Sequence, residues 1–251
     1  MDLKTLYAAT LDWWQNLDPE TRSQELERFA RRFAYNSARI EDDAVTLPLT
    51  KEIFKTSGVT GYSGPLAPLY EIQNQKDCWV RLMADVDSRR AFDEGLVLEA
   101  HETLTFGTYS PTQLADGERP GTYKQGDYLI AGAPEVGASA EDAPQLVRDL
   151  CDEVASALPG LTRGKALIVA AYFHCSFEAI HPFSDGSGLT GRELMNYILL
   201  AGGHPPVVIY DEDRRAYFDC LEAFTSDGDL QPFKRFLMAE TLRTWRESIG
   251  G

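Results

Sequence analysis

Apolar residues return every three or four positions near the start of the chain: Leu3, Leu6, Tyr7, Leu11 and Trp14, then Leu26, Phe29 and Phe33. That spacing predicts two helices, the second opening at Pro19 and Glu20. A Gly/Pro-rich stretch over 58–68 predicts a loop. Helical spacing resumes over 69–104, with Leu82, Val86, Leu96, Leu98 and Leu104 as core candidates. Between Phe106 and Val136 glycines and prolines break the pattern, and the GTYKQGDYLI run over 121–130 reads as a short hairpin or extended flap. Further helices are expected over 144–157, 164–177, 189–201, 213–224 and 231–245. Tyr172, Phe173 and Phe177 are expected in the core, and Trp13 and Trp14 in core and interface. The pattern describes a mainly α fold with one β-like interruption and no linker dividing it.

Composition narrows the class. At 251 residues and 43% hydrophobic, the chain can bury a large core without covalent staples. Its net charge of −15 argues against a protein that grips nucleic acid or an anionic membrane surface by general attraction. It leaves room for a small basic pocket. No apolar run approaches the roughly 20 residues that span a bilayer, and the N-terminus lacks a signal-peptide pattern. Cys78, Cys151, Cys175 and Cys220 form no zinc-like spacing, so reduced thiols and a cytoplasmic location are expected. A secreted effector without a classical signal would look the same.

The segment FEAIHPFSDGSGLTGR, residues 177–192, lies between two apolar helices and opens onto the N-terminus of the second. Gly186, Gly188 and Gly191 allow close backbone approach and a sharp turn. The unpaired N–H groups that follow make an anion site. Asp185 could hold Mg²⁺, which takes one or two carboxylates together with phosphate oxygens. His181 suits proton transfer near neutral pH, and the planar fork of Arg192 suits a terminal phosphate. Base, metal carboxylate, cradle and arginine together suggest phosphate-ester chemistry. On residue types alone an ordinary turn-rich loop is the alternative. His174 and His204 read as structural.

The same segment resembles the signature of the Fic (Fido-fold) family, HPFx(D/E)GNGRxxR. His181, Pro182, Phe183, Asp185, Gly186, Gly188 and Arg192 match in register, with Phe177, Glu178, Ile180, Thr190 and Gly191 as familiar flanks. Segments around 202–207 and 213–223 and the run around Gly121–Lys124 resemble the family's flanking regions. The resemblance implies a Fic core over 95–251 and an N-terminal helical region over 1–94 packed on it. The run YNSARIED within an expected helix over about 33–43 resembles the family's inhibitory helix, with Ser37 and Glu41 matching and Asp42 where Gly or Asn is usual. On that resemblance Glu41 pairs with Arg192 where the γ-phosphate of ATP would lie. The plain alternative is an i,i+4 pair on a solvated helix face.

What the resemblance implies is a protein adenylyltransferase, with ATP as substrate and Mg²⁺ at Asp185. His181 would be the base; Asp185, Gly186, Ser187, Gly188, Gly191 and Arg192 would bind the nucleotide. Thr122, Tyr123 and Lys124 would form a flap that registers a target segment by strand pairing, with Tyr128 a further flap aromatic. The partner would be a protein offering a Tyr, Thr or Ser hydroxyl, and a homodimer is compatible. Two positions depart from the pattern: Ser187 replaces Asn and Leu189 replaces the first Arg. A charged hydrogen bond is worth roughly 1.5–3 kcal/mol, so these changes imply weakened ATP binding and transfer. They also keep open a non-catalytic regulator on the same fold, and a relative that uses another nucleotide or phosphodiester donor or removes AMP.

Overall fold

The computed structural model describes residues 2–56, 59, 62–127 and 137–250. The first apolar stripes fold as α1 (Leu3–Gln15) and α2 (Pro19–Glu41). Aspartates start both: Asp2 accepts the N–H of Thr5 and Asp18 that of Thr21, caps worth about 1 kcal/mol each. α2 buries Phe29, Phe33, Ser37, Ala38 and Ile40 along one face, so the expected helix over 33–43 is the last turns of a longer helix.

The region expected to be helical over 69–104 is divided. α4 (Ala67–Ser88) ends at Arg89, which adopts φ 54°, and α5 (Glu94–Thr105) restarts on the side-chain cap of Asp93. Two helices were not expected: α3 (Leu47–Thr56) and the single turn α6 (Pro111–Ala115). The later helices are α7 (Ala143–Ala157), α8 (Arg163–Ile180), α9 (Ser187–Ala201), α10 (Arg214–Asp227) and α11 (Gln231–Gly250). A 3-10 turn at Asp211–Asp213 leads into α10. Among the described residues there is no strand: 121–127 is turn and irregular backbone, and the far half of the expected hairpin, with Tyr128, lies outside the described residues.

α8 and α9 pack on each other at the centre, with α7, α10 and α11 against α8 and α2, α4 and α5 against α9. One hydrophobic core runs from Tyr7 in α1 to Trp245 in α11. Trp14 is buried 5.1 Å from the Trp245 ring, with Trp13 partly buried beside it. Phe173 and Phe177 are fully buried. Tyr172 is not: it is exposed, with its hydroxyl donating to Glu153 on α7, because its position on α8 turns outward. A smaller cluster of Ala38, Val45, Leu49, Ile53 and Ile72 seats α3. Among the described residues no helix is long and apolar enough to cross a membrane, and the four cysteines are free.

Candidate active site

The turn from α8 into α9 is held from several sides. His181 ends α8 in the left-handed region at φ 46°, its N–H still donating to the Phe177 carbonyl. Gly186 reverses the chain at φ 76° and starts α9. Between them the Ile180 carbonyl accepts the N–H of Ala138, and the Pro182 carbonyl that of Lys124. Phe183 is fully buried, stacked 3.6 Å from the His101 ring and 5.8 Å from that of Tyr123.

His101 has no counterpart in the sequence-based site. Its Nδ1 accepts the N–H of Gly121 at 2.9 Å, so the proton sits on Nε2, which donates to the Asp185 carbonyl at 3.0 Å. Burial pushes its pKa down to about 4, keeping it neutral. One imidazole thus ties α5, the 121 turn and the 181–186 loop together. α6 contributes too. Ser110 and Gln113 form a reciprocal capping box, and the Gln113 side chain hydrogen-bonds the Asp185 carboxyl, whose pKa burial raises.

Arg192 is the centre of the polar geometry. It is 1% exposed, on α9 one turn from the N-terminus. Its Nε donates to Ser37 Oγ at 2.9 Å, and its Nη2 to the Ser37 carbonyl at 3.0 Å and to Glu41 Oε1 at 2.6 Å. Burial disfavours the guanidinium charge, but the Glu41 carboxylate more than compensates and its pKa rises. Glu41 also rests on the helix start: a Cβ built on Gly188 would lie 2.4 Å from Glu41 Oε1. A carboxylate therefore sits on an arginine and a helix N-terminus together, an environment that favours an anion. Residue types brought Gly188 and Arg192 into view and the family resemblance Ser37 and Glu41, and the fold brings all four together.

The pKa of His181 is lowered by burial and by the nearby charge of Lys124, so its imidazole is neutral and can take a proton at neutral pH. Other expected site residues sit elsewhere. A Cβ on Gly191 would meet His174 Nδ1 at 3.0 Å and Phe177 at 3.1 Å, so this glycine permits close packing of α8 on α9 and lies away from the helix start. The Ser187 hydroxyl is engaged with the Phe183 backbone, and Leu189 joins the core at 6% exposure. The N–H groups of Thr122 and Lys124 bond the Arg119 and Pro182 carbonyls, Tyr123 donates to Glu94, and Lys124 is buried. These three residues brace the loop. His174 and His204 are buried on the Tyr217 and Tyr7 hydroxyls.

Residues 91–199, which carry this loop, α5 and both central helices, match the Fic/DOC family. The domain they form belongs to that family. The protein adenylyltransferase Fic of Drosophila persimilis is 30% identical over 211 residues, 84% of this chain and 39% of that protein. The protein of the same name from Aedes aegypti is 47% identical over 75 residues, 30% of this chain and 15% of that protein. The Fic chain thus spans well under half the length of these curated relatives. Among solved structures, a Fic domain containing signaling protein from Bacteroides thetaiotaomicron superposes with a TM-score of 0.82 at 24% identity, covering 98% of this chain and 95% of that one. Fic-1 from C. elegans superposes with a TM-score of 0.79 at 22% identity, covering 99% and 71%. These likenesses fix the Fic fold.

Proposed function

We propose that this chain transfers AMP from ATP to a hydroxyl side chain of a target protein, and that Glu41 holds the site closed against Arg192. The carrying observation is the Glu41 carboxylate on Gly188 and Arg192, where a phosphate would find the same arginine and helix start. The names of the similar insect proteins support the reaction class.

In this reading a target Tyr, Thr or Ser oxygen attacks the α-phosphorus of ATP. The bond to the β-phosphate oxygen breaks, pyrophosphate leaves, and the hydroxyl proton passes to the neutral His181 imidazole. The N–H groups at the α9 start stabilise the phosphate charge. Arg192 takes the terminal phosphate once Glu41 has moved away. Asp185 suits Mg²⁺ as a lone carboxylate completed by phosphate oxygens. The ion would add charge neutralisation at the phosphates.

Intact mass after incubation with Mg²⁺ and ATP tests this. Glu41→Gly is expected to gain AMP, wild type little or none, and Glu41→Gly with His181→Ala none. Labelling of wild type equal to Glu41→Gly would refute inhibition; labelling that survives His181→Ala would refute the base. A second reading has its own support: the engaged Ser187 hydroxyl and the buried Leu189 leave Arg192 as the motif's remaining arginine. A nucleotide carrying fewer phosphates then replaces ATP as donor, and a thermal-shift panel of ATP, ADP and CDP-type diesters separates the two readings.

A further inference from the structure

A groove of about 830 Å³ lies between the N-terminal half of α2, α3 and α4. It is within the range of concave recognition sites. Its apolar lining includes Leu26, Phe54, Trp79, Val80 and Met83. Val80 is 64% exposed, the most of the large apolar residues on α4. Around this lining stand Arg28, Arg31, Lys51, Lys55 and Lys76 against the acids Glu27 and Asp87. In a chain of net charge −15 the excess of cations along this groove is opposite in sign to the whole.

The cations differ in availability. Arg28 pairs with Glu25, and Lys76 donates to the Ile53 and Phe54 carbonyls. Arg31, Lys51 and Lys55 are exposed and make no ion pair among the described residues. Three uncommitted cations beside an apolar trough are complementary to a segment with apolar residues on one face and acids along its flanks. We propose that this groove docks an acidic amphipathic helix of a partner protein, its apolar anchors against Phe54, Trp79 and Val80 and its carboxylates facing Arg31, Lys51 and Lys55. The apolar lining supplies the burial and the cations supply register and speed of encounter. The surface is separate from the α9 start, so the proposal does not depend on the chemistry there.

The test is fluorescence anisotropy of a labelled 16-residue helical peptide of Leu and Glu, with Leu at helical spacing. Two controls accompany it: the same peptide with Lys for Glu, and a single-stranded oligonucleotide of equal negative charge. The acidic peptide is expected to bind the full chain, to weaken as salt rises, and to lose roughly tenfold or more on Lys51→Glu with Lys55→Glu. Both lysines are exposed, so the doubly substituted chain folds, and circular dichroism checks this. Val80→Asp is expected to weaken the same peptide through the apolar lining. No binding, equal binding to the doubly reversed chain, or equal binding of the Lys peptide overturns the proposal. So does oligonucleotide binding as tight and as sensitive to the reversal, which would assign the groove to nucleic acid. Sedimentation showing self-association that the reversal abolishes would assign it to a second copy and overturn the partner reading.

Discussion

An alanine at position 188 would place its methyl 2.4 Å from Glu41 Oε1 and 2.9 Å from Arg192 Nη1. The absence of a side chain at Gly188 therefore leaves the room that the Glu41 carboxylate occupies. In the Glu41→Gly background the first contact disappears, and the second is relieved by a small shift of the Arg192 side-chain tip, a cost offset by the helix preference for alanine over glycine of up to about 1 kcal/mol. Gly188→Ala there should leave the melting temperature unchanged or raised while removing the AMP adduct seen by intact mass. An adduct forming at the parental rate would show that no phosphate approaches that backbone. At this scale the sequence was informative where a residue type has few uses. Gly186, Gly188 and Arg192 were legible because turn geometry, close approach and charge pairing demand those types, and Glu41 only through the resemblance of its helix to the family's. The packing role of Gly191 against His174 and Phe177 was not legible, because a glycine spared for helix packing looks the same in sequence as one spared for a ligand. The Ser187 hydroxyl was likewise unreadable, since its engagement with Phe183 depends on the turn's closing geometry.

Helices of many turns were legible from spacing, and short ones were not. α3 shows its apolar side only at Leu49, Ile53 and Phe54, too brief a repeat to stand out. α6 did carry a signal, the Ser110-Pro-Thr-Gln113 start of a capping box. The bracing role of the 121–124 turn was not legible, because Gly and aromatic residues suit a hairpin equally well. What fixes it as a brace is His101, which no spacing rule distinguishes from any helical histidine. His101→Ala removes the stack on Phe183 and leaves the Gly121 N–H and the Asp185 carbonyl unpaired. A cost of about 2–4 kcal/mol follows, a fall in melting temperature of roughly 5–15 °C for a chain of this size. Because the loss is centred on the loop, hydrogen exchange over 181–186 should rise more than over α11. A melting temperature within about 2 °C of wild type would mean that Phe183 alone holds the loop.

At the scale of the whole molecule, net charge and hydropathy conveyed a large-cored, acidic chain, but not which ionisable groups the core would enclose. Burial lowers the pKa of His101 and His204 to about 4 and of His174, beside Arg192, to about 3. Burial raises Glu193 to about 8 and Glu240 to about 7. The two sets act with opposite sign. An unfolded histidine takes a proton near pH 6.5 that the folded one refuses, so stability is lost as pH falls from about 6.5 to 4 or below. An unfolded glutamate releases its proton near pH 4.5 while the buried one keeps it, so stability is lost as pH rises from there to about 7–8. Between about pH 4.5 and 6.5 the two oppose each other; above 6.5 only the glutamates act. Urea unfolding should therefore show declining stability from pH 6.5 to 8, by on the order of a few kcal/mol. Glu193→Gln cannot ionise, and should flatten that decline while altering stability at pH 5 much less. A wild-type chain more stable at pH 8 than at 6.5, or a Gln variant with the same slope, would place the Glu193 proton outside the folded-state balance. The same measurement on His204→Gln, whose ring bonds Tyr7 far from Glu193 in sequence, should change the acid limb and leave the alkaline one.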